Sequence, residues 1–287
     1  MNKLKLRNLV QQFLIEDIGD TDITSESIFP PNQPGHGVFI AKESGVVAGL
    51  EIIEEAYMLL NPSITVEVFF QDGDQVRGGD VLVEAHGPIV PLLAGERVIL
   101  NFIQRMSGIA TITARSVSEL NDPSIHICDT RKTTPGLRMF DKYAVTCGGG
   151  RNHRFGLEHG VMIKDNHISF AGSITKAVHQ VREKIGHMVK IEVETETKEE
   201  VLEAVEAGAD IIMFDNRSPA EVIQFNKYVP DSIITEASGG ITLDNLATYQ
   251  HTGVDYISLG FLTHSVTALD ISLQVKPGPK KSSAKEQ

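Results

Sequence analysis

At 287 residues, with 41% hydrophobic and 22% charged side chains, the chain has the composition of a soluble globular protein with one large or two moderate cores. No run of 18 apolar residues occurs, which excludes a membrane-spanning helix, and a formal net charge of −12 argues against non-specific nucleic-acid binding. The two cysteines, Cys128 and Cys147, are too few for a disulfide framework and lack metal-ligand spacing, so a cytoplasmic location is expected.

Leu6, Leu9, Val10, Phe13 and Leu14 fall at helical spacing, while charged and amide residues break any signal-peptide core. VVAGLEIIEEAYMLL predicts a strand passing into a helix, and ITVEVFF (64–70) alternates like a half-buried strand. In QDGDQVRGGDVLVEAHG (71–87), Asp72-Gly73 and Gly78-Gly79 predict turns. This stretch resembles half of a biotinyl or lipoyl carrier, but no Met-Lys-Met or Asp-Lys-Ala tripeptide is present. GERVILNFIQRMSGIATITARSVSEL then reads as one long helical stretch, with Gly108 as its expected breaking point.

Short apolar runs follow: IHICDT, GVMIKDNH, VKIEVET, IIMFDN, IITEASGG and YISLG. Helical segments such as ITKAVHQVREKI, TKEEVLEAVEAGA and LDNLATYQHT separate most of them, the rhythm of successive βα units. Six strands, with room for a seventh, predict an α/β fold, either a doubly wound sheet or a (β/α) barrel. Each strand ends in polar residues that a core would reject, and in parallel α/β proteins such ends form active sites. In VKIEVET, Val189, Ile191 and Val193 share one face while Lys190, Glu192 and Glu194 share the other. That polar face suits a barrel interior with Glu194 nearest the mouth. The lysine-rich KPGPKKSSAKEQ at the C-terminus reads as a frayed tail.

Residues 128–167 hold seven Lys and Arg against four acids in an otherwise acidic chain. CDTRKTTPGLR places Arg131 and Lys132 at a strand end, with Thr130 among the threonines able to donate hydrogen bonds to an anion. Arg138 either lines a site or braces the loop. Gly148 to Gly150 precede Arg151, Asn152, His153 and Arg154 and permit a loop that lays cations over a ligand. Arginine grips carboxylates and phosphates in a bidentate fork and lysine acts as a point charge, so the mixture suggests a ligand with several anionic groups. Ser238, Gly239 and Gly240, and again Ser258, Leu259 and Gly260, supply small-residue βα loops whose N–H groups suit a phosphate. Between these poles, Glu194 and Asp215 suit Mg²⁺, ribose hydroxyls or a developing positive charge.

The ordered series CDTRKTTPGLR, KYAVTCGGGRNHRFGLEHGVMIKDNH, IEVE, MFDN, EASGGI and SLGFLTHS resembles the quinolinate phosphoribosyltransferase family over nearly the whole chain. The resemblance implies an incomplete (β/α) barrel at 109–264 and an N-terminal α/β sandwich at 1–108, rejoined by 265–287. It implies quinolinate and phosphoribosyl pyrophosphate as substrates, Mg²⁺ held mainly by the pyrophosphate near Glu194 and Asp215, and no organic cofactor. It also implies homodimers with shared active sites, and hexamers in some members, with no nucleic-acid or membrane partner. Carried over, Arg131, His153, Arg154 and Lys164 match the quinolinate-binding cations, with Lys132 beside them. Arg97 matches an arginine that reaches the neighbouring subunit's site. Lys132, Glu194 and Asp215 are the expected catalytic groups, and the two serine-glycine loops the 5′-phosphate site. Two rivals are a related phosphoribosyltransferase with another acceptor and a Schiff-base aldolase using Lys164.

Overall fold

The computed structural model describes residues 1–277, so most of the lysine-rich tail lies outside the described residues. The chain divides into two compact units. The first comprises Met1–Thr111, Met139–Gly148 and the segment from Val266, and the second Ile112–Arg138 and Gly149–Ser265. Residues 139–148, expected within the barrel segment, thus group with the first unit.

Helix α1 (Lys3–Ile18) starts where the Asn2 side chain accepts the Lys5 N–H at 3.0 Å, and it buries Leu6, Val10 and Leu14. There follow α2 (Ile23–Ile28), β1 (Pro34–Ala41), β2 (Gly45–Val46), α3 (Glu51–Leu60), β3 (Thr65–Val68), β4 (Gln75–Val76), β5 (Val81–Pro88) and α4 (Ile89–Ala94). The Asp72-Gly73 turn has a structural task. Asp72 Oδ1 accepts the N–H groups of Gly49 and Leu50 at the start of α3, and Oδ2 accepts the Tyr143 hydroxyl at 2.8 Å. The Gly78-Gly79 turn, between Arg77 and Asp80, offers no lysine to a carrier cofactor.

Helix α5 (Glu96–Leu120) runs unbroken through Gly108. The glycine serves close packing: a Cβ there would overlap the Thr267 carbonyl oxygen and lie 3.0 Å from Ala268 Cα. The signal read as a break is therefore a signal for backbone approach.

Next come β6 (His126–Cys128) and α6 (Arg138–Cys147), then β7 (Val161–Ile163), α7 (Asp165–Ala171) and α8 (Ile174–Arg182). They are followed by β8 (Ile191–Thr195), α9 (Lys198–Glu206), β9 (Ile211–Asp215), α10 (Pro219–Asn226), β10 (Ile234–Ser238), β11 (Tyr256–Ser258) and α11 (Phe261–His264). Capping boxes from Thr197 with Glu200 and from Ser218 with Glu221 start α9 and α10. LDNLATYQHT, expected as a helix, forms only a 3-10 turn at Leu246–Tyr249, because His251 and Gly253 take positive φ and end it.

Strands β6 to β11 form one parallel sheet in the order β6-β11-β10-β9-β8-β7. Strands β6 and β7 are successive in sequence yet stand at opposite ends of the row, so the barrel is incomplete. On the free side of β6 a single bridge joins Cys128 to Arg151. The last strand, β12 (Ile271–Pro277), returns to the first unit, where the antiparallel order is β12-β1-β5-β3. That unit packs its core around Phe39, Ile52, Ile53, Tyr57 and Leu82, all fully buried, between sheet and helices. Among the described residues no helix is long and apolar enough to cross a membrane.

Candidate active site

The loop after β6 is tied down on three sides. Lys132 N–H donates to Thr130 Oγ1 at 3.0 Å, and the Thr263 hydroxyl donates to the Lys132 carbonyl at 2.9 Å. Arg138 donates to Thr133 Oγ1 at 3.0 Å and to the Phe155 carbonyl at 2.9 Å, so it braces this loop. Gly260 leaves room for the Lys132 stem, since a Cβ there would sit 3.1 Å from Lys132 Cδ. Arg131 and Lys132 themselves stay exposed at the carboxyl end of the strand.

On β8 the alternation read from VKIEVET places its groups by depth. Ile191 and Val193 are fully buried, while Lys190, Glu192 and Glu194 point to the polar side at successive levels. Glu194, at the upper level, pairs with Lys164 from the end of β7, Oε2 to Nζ 2.5 Å.

The loops after β9 and β10 interlock. Asn216 at φ 52° donates its N–H to the Ser238 carbonyl at 2.8 Å, and Gly239 follows at φ 81°. A Cβ on Gly239 would lie 2.8 Å from the Asn216 nitrogen, so both space and conformation require glycine. The Ser258 hydroxyl donates to Ser238 Oγ at 2.9 Å and joins the ends of β10 and β11.

These ends enclose a cavity of about 580 Å³. Thr130, Arg131, Lys132, His153, Arg154 and Lys164 line one part, and Glu194, Asp215, Ser238, Gly239, Gly240 and Ser258 another. Of the predicted residues, Leu259 is buried behind the wall and Gly260 supports Lys132. Arg97 is exposed on α5 in the first unit. Met162 and Met213 also line the cavity and were not expected there; Asn216 and Glu236 line it too, among the polar strand-end residues but without an assigned role. Glu236 was legible: it lies two residues before Ser238 on β10 and so faces the same side.

Beneath the cavity lies a buried polar layer. His153 takes its backbone position from Asp129 Oδ1, which accepts its N–H at 2.9 Å. Its Nδ1 accepts the Arg154 N–H at 2.7 Å, and its Nε2 lies 3.1 Å from Glu192 Oε2 and 3.7 Å from Glu236 Oε2. This is the pattern of an Nε2–H tautomer, with both ring nitrogens turned to protein groups. His153, expected among the ligand-binding cations, lines the cavity, and its ring also engages this polar layer. Burial first, then the charge of Glu192, hold the Glu236 carboxyl above the usual carboxylate range. Burial and the neighbouring Arg131 lower Arg154, and Glu192 opposes them.

A second cavity, of about 530 Å³, lies on the other side of this layer. Val161, Ile211, Ile234 and Tyr256, the first residues of four strands, line it together with Arg151, His159 and Lys190. His153, Arg154 and Glu236 line both cavities, and are therefore the partition between them.

Comparison with known proteins matches residues 22–107 to the N-terminal domain, and 109–274 to the C-terminal domain, of quinolinate phosphoribosyl transferase. A Bacillus subtilis (strain 168) protein described as a "Probable nicotinate-nucleotide pyrophosphorylase [carboxylating]" is 56% identical over 275 residues, 96% of this chain and 95% of the relative. Quinolinate phosphoribosyltransferase [decarboxylating] 1 of Nicotiana glauca is 42% identical over 94% of this chain and 82% of its own length. The crystal structure of NadC from Streptococcus pyogenes superposes with a TM-score of 0.93 at 39% identity, over 96% of this chain and 98% of that one.

Proposed function

The chain belongs to the quinolinate phosphoribosyl transferase family, and on that premise we propose that the 580 Å³ cavity is its active site. The enzyme transfers a phosphoribosyl group from phosphoribosyl pyrophosphate to quinolinate with loss of CO₂. The products are nicotinate mononucleotide and pyrophosphate, on the route to NAD.

The observation that carries the site is the gathering of Arg131, Lys132, Arg154 and Lys164 in one cavity beside two serine-glycine loops. Quinolinate brings two carboxylates and its cosubstrate brings a phosphate and a pyrophosphate, which such a wall can compensate. Arg131, Arg154 and Lys164 hold the dianion with its ring nitrogen toward the sugar, a positioning effect that can reach ~7–11 kcal/mol. The loops at Ser238–Gly240 and Ser258 hold the 5′-phosphate through backbone N–H groups. Lys132 faces the leaving pyrophosphate. Asp215 offers the hard carboxylate oxygens that would hold a Mg²⁺ accompanying that pyrophosphate, where the ion would neutralise its charge. Glu194 and Asp215 oppose the positive charge that develops on the sugar as the pyrophosphate departs.

The Lys164 ammonium, paired with Glu194, suits anion binding and not the desolvated free amine of a Schiff-base enzyme. Exposed Leu4 and Ile15 on α1, with Ile23 and Ile28 on α2, support a homodimer, in which exposed Arg97 is available to a second copy. A cytoplasmic setting fits the two free cysteines. Incubation with quinolinate, phosphoribosyl pyrophosphate and Mg²⁺ should yield CO₂ and nicotinate mononucleotide. Turnover of nicotinate in place of quinolinate would instead assign another acceptor.

A further inference from the structure

Loss of the carboxylate next to the ring nitrogen leaves an electron pair on that ring carbon, and the product carries hydrogen there. A proton must therefore reach the floor of the cavity. We infer that Glu236 is the acid that delivers it, directly or through one water, and that it is reloaded from the second cavity beneath. This inference rests on the reaction given above.

Four observations carry it. Glu236 lines the active cavity together with Arg131, Arg154 and Lys164, the groups that hold quinolinate. It also lines the lower cavity, so one carboxyl group touches both compartments. It is 4% exposed, and its Oε1 has no hydrogen-bond partner. Finally, burial and the acids packed against it outweigh the groups that favour its charged form. Glu192 on β8 and Asp129 after β6 are acids that raise its proton affinity. His153, from the loop before β7, and the Ser258 hydroxyl oppose them, but His153 Nε2 lies nearer Glu192 and the Ser258 hydroxyl also engages Ser238. The rival proton carriers are less suited. Arginines do not release protons, and Lys164 is held by Glu194.

The step balances as follows. As the bond from the ring carbon to the carboxylate breaks and CO₂ leaves, the electron pair passes to the ring carbon beside the positive nitrogen. In the same step that pair takes the proton from the Glu236 carboxyl, whose O–H bond breaks and leaves a carboxylate. Two carboxylates, Glu192 and Glu236, then share one buried layer, an unfavourable arrangement relieved when Glu236 regains a proton from bulk solvent or buffer acid by way of the lower cavity.

The test is a single-turnover experiment on the full-length enzyme with quinolinate labelled in the carboxylate next to nitrogen. It compares wild type with Glu236→Gln, a near-isosteric change whose quinolinate binding is checked by calorimetry. The expected result is binding within about threefold of wild type and prompt pyrophosphate release. Release of labelled CO₂ and formation of nicotinate mononucleotide should slow by roughly 10²–10⁴-fold, the scale of general-acid catalysis. Wild-type decarboxylation should lose rate as the pH rises past neutrality, and the variant should lack that limb. Product formation by Glu236→Gln at the wild-type rate would overturn the inference, as would equal slowing of pyrophosphate release and decarboxylation. A metal ion bound stoichiometrically by His153, Glu192 and Glu236 would also overturn it. Wild type that makes no nicotinate mononucleotide would overturn the functional reading itself, and this inference with it.

Discussion

Lys164 and Glu194 form a 2.5 Å ion pair across the ends of β7 and β8, with the lysine side chain 43% exposed and the glutamate 14%. The pair stores a cation and an anion side by side in the free enzyme. On the proposed binding mode, a quinolinate carboxylate that engages Lys164 should release Glu194 from its partner. Lys164→Ala should therefore weaken quinolinate binding and lower kcat/KM by about 100-fold or more, the range for removing a charge-assisted contact. Thermal melting should barely move, because a half-exposed pair contributes only ~0–1 kcal/mol. Calorimetry and melting on the same preparation check both halves.

Gly239→Ala sets a side chain against the Asn216 nitrogen in a backbone at φ 81°. Such strain costs about 1–3 kcal/mol. The 5′-phosphate loop should also lose its shape, so KM for phosphoribosyl pyrophosphate should rise more than KM for quinolinate. Steady-state kinetics with each substrate varied separates the two.

Gly108→Ala tests the reading of α5. Helix propensity alone would gain about 1 kcal/mol, yet the new methyl group overlaps the Thr267 carbonyl oxygen. Urea unfolding should show a net loss of about 1–3 kcal/mol, the usual cost of overpacking.

In the first unit Arg105 grips the fully buried Asp141 with two bonds of 2.9 Å. Asp141→Ala removes both bonds from a pair whose carboxylate is fully buried, which costs up to about 3–5 kcal/mol. The expected outcome is a poorly soluble or strongly destabilised protein, measured by denaturant midpoint.

Glu236 gives a pH prediction. Burial and then Glu192 hold its carboxyl above the usual carboxylate range in the folded chain. The folded state therefore binds more protons than the unfolded one as pH rises through that range, so this group's stabilisation is complete below the unfolded value of 4.5 and lost as pH climbs past the raised folded value. Glu236→Gln removes that dependence. The variant's melting temperature relative to wild type should rise from pH 5 to pH 8.

Much of this molecule is legible in its sequence, for identifiable reasons. Alternation in VKIEVET placed Lys190, Glu192 and Glu194 on one polar face, because strand geometry leaves no other choice. The cations of CDTRKTTPGLR stood out because charge concentrated at a strand end has little structural use, and Arg131 and Lys132 do line the 580 Å³ cavity. Failures occurred where a signal depends on distant partners. Gly108 looked like a helix break because Thr267, far along the chain, is what it accommodates. Arg138 was ambiguous because its acceptors, Thr133 and the Phe155 carbonyl, meet it only after folding. The contacts of the His153 ring with Glu192 and Glu236 were invisible because those acids lie on other strands.

The unclosed side of the strand row carries a consequence for solubility. A bare parallel edge at β6 would be a template for pairing with another molecule. Arg151 occupies that edge, donating its N–H to the Ile127 carbonyl at 2.8 Å and accepting from Asp129 at 3.1 Å. The segment that shields the edge leads straight into His153 and Arg154. Damage there would expose a sticky strand at the same moment that it dismantles substrate recognition, so aggregation and inactivity should arrive together.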